Sequence, residues 1–340
     1  MILILSQSAL EPTTEEVMDW VEALGGRCAR LNGDDIEGRS EIRCEIVDGR
    51  LSLSFESGGI ELPLAEARAV WFRRWLYERR HETAGLLAEP AADNHTLHHQ
   101  LRRHLTLESR RLSDFLFASF GHLPWLSHPR RSNLNKLDVL RRAAREGIAT
   151  PATLVTTERE ALRRFAARHG GEAITKPIGE VEAFIEGEVS HYLFTTPLGA
   201  AEIDDLPARF APSLFQERVE KAYELRVFYL DGEFYAMAIF SQNDPQTRAD
   251  FRQYNRERPN RNVPYRLRPE LAERLRRLMD GLELETGSID LLATPEGREV
   301  FLEVNPVGQL GMVSRPCNYH LERKIAEHLL RKAEDHERRP

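Results

Sequence analysis

Cysteine is scarce in this chain. Cys28, Cys44 and Cys317 are the only three among 340 residues, and they lie far apart. An odd, dispersed set builds neither a disulfide framework nor a zinc cluster, and it suits a reduced, cytoplasmic protein. No apolar run approaches the roughly 18 residues of a membrane helix, so no membrane partner is expected. The opening Met1-Ile-Leu-Ile-Leu-Ser6 has neither a basic segment nor a long apolar one, and reads as a first strand rather than a signal peptide. Excess positive charge is missing too: the net charge is −7, so the chain as a whole is not built to hold nucleic acid. No Gly-x-Ser-x-Gly elbow, Ser-His-Asp pattern or Walker Gly-x-x-x-x-Gly-Lys loop occurs. His95, His98 and His99 have helical metal spacing but no acidic or Cys partner nearby, and a solvated helix face is the better reading.

What is present is a chain long enough for two or three domains, with the composition of an ordinary globular protein. A strand at Met1–Gln7, a helix at Thr14–Gly25 and a hairpin around Asp48-Gly49 come first. A strand at Ala69–Trp75 and a long helix from Ala91 to Phe120 complete an α/β unit over residues 1–125, and Gly121–Arg131 reads as a linker. Ser132 is placed to cap the next helix, Thr157 and Glu160 to form a capping box, and Ile174–Pro177 to form a strand, giving a small α+β unit over residues 132–212. A third α+β unit, residues 213–335, holds a hairpin through Asp231-Gly232, a helix from Pro269, a second hairpin and a closing helix at Leu321–Ala333. The fold class is α/β (α+β).

The second hairpin carries the chemistry. It runs from Ser288 to Asn305, and a turn centred on Glu296-Gly297 places Asp290 opposite Glu303. On that register Ser288, Asp290, Leu292, Phe301, Glu303 and Asn305 share one face, while the other is wholly apolar. Opposed residues of an antiparallel pair have Cβ atoms about 5 Å apart, and like charges there repel, so a positive group is expected between them. Two carboxylates and an Asn amide form an all-oxygen set that suits Mg²⁺ better than zinc or copper. Magnesium held by so few protein groups fills its shell with water and nucleotide phosphates. The residues therefore point to a Mg-nucleotide site.

Other candidates keep two readings each. Lys176 on its strand and Lys136 in the first turn of its helix could hold phosphates or be plain surface lysines. The stretch Leu214–Lys221 could offer backbone groups to an adenine edge, with Glu220 or Glu224 on the ribose, or be a simple connecting strand. Arg226 sits between Glu224 and Phe228 on its face, opposite Met237, and needs an anionic partner, either a phosphoryl group or a structural carboxylate. Arg248, Asp250, Arg252 and Tyr254 form a polar loop that binds an acidic substrate or is merely solvated.

In order along the chain, Lys136 and Lys176, the Gln216-Glu217-Arg218-Val219 connector, then Asp290 with Glu303-x-Asn305, resemble the ATP-grasp superfamily from about Asn135 to Leu321. Within it the likeness is to the graspetide (microviridin-type) peptide ligases, and nearer still to the grasp-with-spasm peptide maturases. It is carried by Phe215–Lys221, Glu224–Gly232, Ala238–Gln242, Asp250-Phe-Arg252, Asn262–Tyr265, Phe301–Gln309 and Val70-Trp-Phe-Arg-Arg-Trp75. One departure is that Lys176–Pro197, where the family's phosphate-covering loop is glycine-rich, has only Gly179 and Gly187.

The resemblance implies an ATP-grasp fold with an N-terminal pre-ATP-grasp domain, a small central lid domain and a C-terminal catalytic domain. It implies an ATP-dependent macrocyclase that activates Asp or Glu side chains of a ribosomally made precursor peptide as acyl phosphates. Thr or Ser hydroxyls then close ω-ester rings, or a Lys amine an ω-amide ring. Carried over, Lys136 and Lys176 contact the ATP phosphates, Glu217 and Val219 flank the adenine, Gln216 is a cofactor-binding residue of the same connector, and Glu224 takes the ribose. Asp290, Glu303 and Asn305 hold two Mg²⁺. Arg226 stabilises the transferring phosphoryl group, and Asp250 and Arg252 lie where the core peptide is expected. The partner is the precursor peptide, leader plus core, and a homodimer is expected. Two other functions fit the same residues less fully: another carboxylate–amine ligase of this fold, such as a glutamate-tailing one, and a non-catalytic ATP-binding partner protein.

Overall fold

The computed structural model describes residues 1–8, 11–36, 40–57, 60–75, 95–179, 184–186, 189–191, 194–247, 251, 255 and 257–338. They form two compact units. One comprises Met1–Ser132, Gln309–Gly311 and His320–Pro340; the other comprises Asn133–Gly308 and Met312–Tyr319. Among the described residues no helix is long and apolar enough to cross a membrane.

The first unit begins with β1 (Ile2–Ser6), α1 (Pro12–Ala23) and β2 (Cys28–Asn32). The strands β3 (Ser40–Val47), β4 (Arg50–Ser57) and β5 (Ile60–Glu61) follow, then β6 (Ala69–Phe72), α2 (His95–Ser119) and β7 (Trp125–Leu126). A parallel sheet runs in the order β2-β1-β6-β7. Ile2 to Leu5 are almost wholly buried at its centre, as expected of an apolar strand covered on both faces. The segment Gly121–Arg131 is more than a linker, because β7 pairs with β6 inside it. Two residues are too few to show a strand period; Trp125 fixes the pairing by donating its Nε1–H to the Phe120 carbonyl at 3.0 Å and meeting Phe117 edge-on. β3 and β4 form the expected hairpin, with Asp48 and Gly49 at φ 50° and 76°, the conformation of a type I′ turn.

The second unit holds α3 (Lys136–Arg145), β8 (Thr153–Glu158), α4 (Arg159–Arg168), β9 (Ala173–Lys176), β10 (Phe184–Glu186), β11 (Val189–His191), β12 (Thr196–Leu198) and α5 (Ala200–Asp205). It continues with β13 (Arg209–Glu217), β14 (Tyr223–Leu230), β15 (Glu233–Phe240), β16 (Arg261–Tyr265), α6 (Pro269–Gly281), β17 (Thr286–Ala293), β18 (Glu299–Asn305) and α7 (Gly311–Cys317). The chain ends in α8 (Leu321–Glu337), which belongs to the first unit and packs on α1 and β6.

Two antiparallel sheets, of four and five strands, carry the second unit, and β10 and β11 form a separate two-stranded one. One, in the order β12-β9-β13-β8, is covered by α4 and α5 through Leu162, Phe165, Ala166, Ala173, Ile203 and Phe215. The other, in the order β16-β15-β14-β17-β18, buries Leu225, Val227, Ile289 and Leu291 in one core with Leu271, Leu275 and Leu278 of α6 and Val139, Leu140 and Ala143 of α3. The three leucines recur at helical spacing along one face of α6.

Two helix starts differ from expectation. Asn135, not Ser132, caps α3: its Oδ1 accepts from the N–H groups of Leu137 at 3.0 Å and Asp138 at 3.1 Å. Ser132 instead closes a preceding 3₁₀ turn by donating to the Pro129 carbonyl. The Thr157–Glu160 box does not form, because Thr157 is taken up in β8 and the N-cap of α4 is Glu158 with no side-chain cap; strand pairing outweighs a cap. Replacing Asn135 by Ala should lower stability by about 1 kcal/mol, while Ser keeps most of it. Urea unfolding of the two variants beside the parent chain checks this.

Candidate active site

Three charged side chains lie in a row across three neighbouring strands. Arg226 of β14 pairs in register with Asp290 of β17, and Asp290 with Glu303 of β18. The next row is Phe228, Ser288 and Asn305. The expected opposition of Asp290 and Glu303 is therefore present, but the rest of the hairpin is not one uninterrupted register. The loop is the three residues Pro295-Glu296-Gly297, closed by Thr294 N–H to the Arg298 carbonyl at 2.9 Å, with Gly297 at φ 80°. A three-residue loop with a left-handed Gly shifts the outer half of the ladder by one. A bulge at Leu302 then restores the inner half. Phe301 consequently faces Leu291 in the core, wholly buried, instead of sharing the acidic face.

Like charges on adjacent strands need neutralising, and the cations flank the carboxylates. Arg226 Nη1 lies 2.6 Å from Asp290 Oδ2, both side chains nearly buried. Lys136 Nζ lies 3.1 Å from Glu303 Oε2. Lys136 is the first residue of α3, so the Asn135 cap sets its position. Its ammonium also donates to the Pro177 carbonyl at 3.4 Å, which ties it to the end of β9, next to Lys176.

Three buried atoms on this face have no hydrogen-bond partner among the described residues, Asn305 Oδ1, Arg226 Nε and Ser288 Oγ, and the first two flank the carboxylates. A buried unsatisfied polar atom costs about 1–3 kcal/mol. Asn305 Oδ1 and Arg226 Nε are accounted for if a cation meets the amide oxygen and an anion meets the guanidinium. Among the described residues no group of three or more His, Cys, Asp or Glu is placed to hold a metal, and the candidate set here is two carboxylates and an amide.

Glu224 is two residues before Arg226 on the same face. It is buried, paired with Lys221, and accepts from Ser241 Oγ at 2.8 Å. Burial pushes its carboxyl above the usual glutamate range, and Lys221 only partly offsets this. Lys221 and Ser241 were not singled out in the sequence; Lys221, three residues from Glu224, could have been.

In the other sheet, Lys176 pairs with Leu214, and Gln216 with Ile174 and Thr153. By strand alternation these lie on the face opposite the one covered by α4 and α5. Gln216 is fully buried; its Nε2 donates to Thr153 Oγ1 at 3.0 Å and its Oε1 has no donor among the described residues. Glu217 is turned away. Its carboxylate accepts from Ala152 N–H at 3.0 Å and lies 3.6 Å from His169, and its own N–H donates to the Ala152 carbonyl. Val219, half-buried, follows in the connector, and Glu220 is exposed. Arg248, Asp250, Arg252 and Tyr254 lie outside the described residues, as do Gly187 and the side chains of His95, His98 and His99.

Replacement of Glu224 by Gln tests the buried carboxyl. Because its folded pKa is raised, the folded chain holds this proton more tightly than the unfolded one, and stability is lost as pH rises through the raised pKa. Unfolding midpoints of the parent chain should therefore fall relative to those of Glu224→Gln from acid pH upward. Parallel midpoints at every pH would count against it.

Comparison with known proteins adds three findings. The family described as MvdD pre-ATP grasp domain matches residues 1–133. No curated protein matches. Solved structures match over nearly the whole chain. A RiPP-associated ATP-grasp ligase of Chryseobacterium gregarium, in complex with ADP and a leader and core peptide, is similar with TM-score 0.81 and 23% identity, over 97% of this chain and 96% of that one. The macrocyclase MdnC of Microcystis aeruginosa MRC, bound with its precursor peptide MdnA, is similar with TM-score 0.80 and 25% identity, over 97% and 99% of the two chains. The macrocyclase MdnB of the same organism gives 0.77 and 25%, over 97% and 98%. The likeness to ATP-grasp peptide ligases drawn from the residues holds for both the N-terminal domain and the fold.

Proposed function

We infer that this chain, an ATP-grasp protein with an MvdD-type pre-ATP-grasp domain, is an ATP-dependent macrocyclase of a ribosomally made precursor peptide. The observation that carries the reading is the row Arg226–Asp290–Glu303 closed by Lys136, with Asn305 Oδ1 unsatisfied beside it. The similar macrocyclase bound with its precursor peptide supports the substrate class, and an ATP-grasp ligase complexed with a minimal precursor, Mg and ADP supports the cofactors.

Asp290, Glu303 and Asn305 would hold two Mg²⁺; bound there, the metal neutralises phosphate oxygens and orients them. Lys136 and Lys176, brought to the end of β9 together, hold the ATP phosphates. Gln216 Oε1 is a buried acceptor for the adenine amino group, with Glu217 and Val219 on the connector beside it and Glu224 toward the ribose. Arg226 has an unused N–H to give to the transferring phosphoryl group. Asp250 and Arg252 meet the core peptide.

The reaction then has two steps. A carboxylate oxygen of the peptide attacks the γ-phosphorus, the bond to ADP breaks, and an acyl phosphate forms. A Thr or Ser hydroxyl attacks the acyl carbon, loses its proton, and expels phosphate to leave an ω-ester ring. Phosphoryl transfer needs positioning and charge neutralisation more than covalent work by the protein, which suits a site made of cations and carboxylates. We place the enzyme in the cytoplasm, where its three unpaired cysteines stay reduced, as a homodimer.

Intact mass of the precursor peptide, incubated with the protein, ATP and Mg²⁺, tests the reading. Loss of one water mass per ring, reversed by mild base, is expected. A base-resistant loss shows amide rings, and a gain of an amino-acid mass shows a carboxylate–amine ligase instead. Asp290→Ala and Glu303→Ala should each abolish ring formation, and turnover by either removes it from the metal set. Arg226→Ala should lower kcat about a hundredfold or more while ATP binding stays near normal. Loss of ATP affinity alone would move Arg226 out of phosphoryl transfer.

A further inference from the structure

Ser288 has no place yet in the chemistry of the site. It is wholly buried, and its Oγ has no hydrogen-bond partner among the described residues. A hydroxyl shut away from water without a partner is costly. What shuts it in is the turn after β18. Gly308 donates its N–H to the Asn305 carbonyl at 3.1 Å, which closes the turn Asn305-Pro306-Val307-Gly308. Gly308 then lies so close to Ser288 that a Cβ there would collide with the serine side chain.

The ladder decides which group the hydroxyl can meet. On β17 the residues that share its face are Thr286 and Asp290, each about 7 Å away along the strand. On β14 its partner is Phe228, whose side chain has no polar atom. On β18 its partner is Asn305, directly opposite. Opposed residues have Cβ atoms about 5 Å apart, within hydrogen-bond reach for a serine and an asparagine. Asn305 has the matching need, because its Oδ1 is buried without a donor. A half-turn about Cβ–Cγ exchanges the two ends of the amide. Nδ2 then goes inward and donates to Ser288 Oγ, which has lone pairs to accept it, and Oδ1 comes out beside Asp290 and Glu303. The reverse bond, from the Ser288 O–H to Oδ1, would leave the amide NH₂ facing the metal position, which only an acceptor can fill.

We propose that Ser288 is the positioning residue of Asn305: its Oγ accepts from Nδ2 and so turns Oδ1 toward the metal. This rests on the reading of Asp290, Glu303 and Asn305 as the Mg²⁺ set. Ser288 touches neither metal, nucleotide nor peptide, and Gly308 keeps water from competing for its hydroxyl. A group that orients a metal ligand in this way is worth about ten- to a hundredfold in metal affinity.

Mn²⁺ binding, read by electron paramagnetic resonance on the full chain with ADP present, tests this. Ser288→Ala should weaken Mn²⁺ about tenfold or more, while ADP affinity in EDTA stays near that of the parent chain. Ser288→Cys, which keeps the shape and a weak acceptor, should fall between the two. Asn305→Ala should weaken Mn²⁺ at least as much as Ser288→Ala, and the double variant should match Asn305→Ala, because the serine acts only through the asparagine. That cycle separates positioning from packing, since a packing defect would weaken Mn²⁺ in both backgrounds. Losses that multiply in the double variant overturn the proposal. Unchanged Mn²⁺ affinity in Ser288→Ala, with Asn305→Ala weakened, also overturns it and leaves the metal set standing. An Asn305→Ala chain that binds Mn²⁺ like the parent removes Asn305 from the metal set and takes this proposal with it.

Discussion

Two carboxylates forced side by side by strand pairing are the constraint on which the catalytic unit turns. Asp290 and Glu303 cannot separate without breaking the β17–β18 ladder, so their repulsion has to be met from outside it. Arg226 meets it from β14, and Lys136 from the first turn of α3. Each cation is held by something that has no charge of its own. Arg226 is placed by the register of β14 between β15 and β17, and Lys136 by the Asn135 cap. The local electrostatics thus depend on a ladder, a helix cap and a core shared by α3, α6 and β17. Arg226 and Lys136 are also the groups that would face phosphate under the proposed function, so the same two cations would serve both the carboxylates and the nucleotide.

The buried Glu224 adds a second charge problem nearby. Its carboxyl lies on the same face as Asp290, and the negative charge there helps to raise its pKa. Lys221 and Ser241 keep it in place. At the far end of the face, Gly308 closes over Ser288, and a Cβ at residue 308 would collide with the Ser288 side chain. Any side chain at that position would force Ser288 or the loop after β18 to shift, next to Asn305.

Much of this was legible in the residues. The apolar alternation of the hairpins, the Asp231-Gly232 turn and the Asp290–Glu303 opposition follow from strand period and turn chemistry, and each is seen. The bulge at Leu302 was not legible, because a single extra residue leaves the hydrophobic pattern nearly unchanged while moving Phe301 to the other face. Ser132 and Thr157 are good caps by type, but the choice of cap lay with tertiary partners: a 3₁₀ turn for one and strand β8 for the other. Short strands such as β7 and β12 have no period to read. Arg226 was seen to need an anion; that the anion is Asp290 depends on β14 and β17 being neighbours, which spans more than sixty residues of chain.

The closing helix has a consequence for synthesis. α8 packs on α1 and β6, and Leu330 fills the space that a Cβ at Gly26 would occupy. The first unit thus takes in residues from both ends of the chain. A chain emerging from the ribosome N-terminus first can complete its second unit while the first still lacks a wall of its core. The first unit is thus completed only after the whole of the second has been made, and until then its apolar parallel sheet lacks the cover of α8.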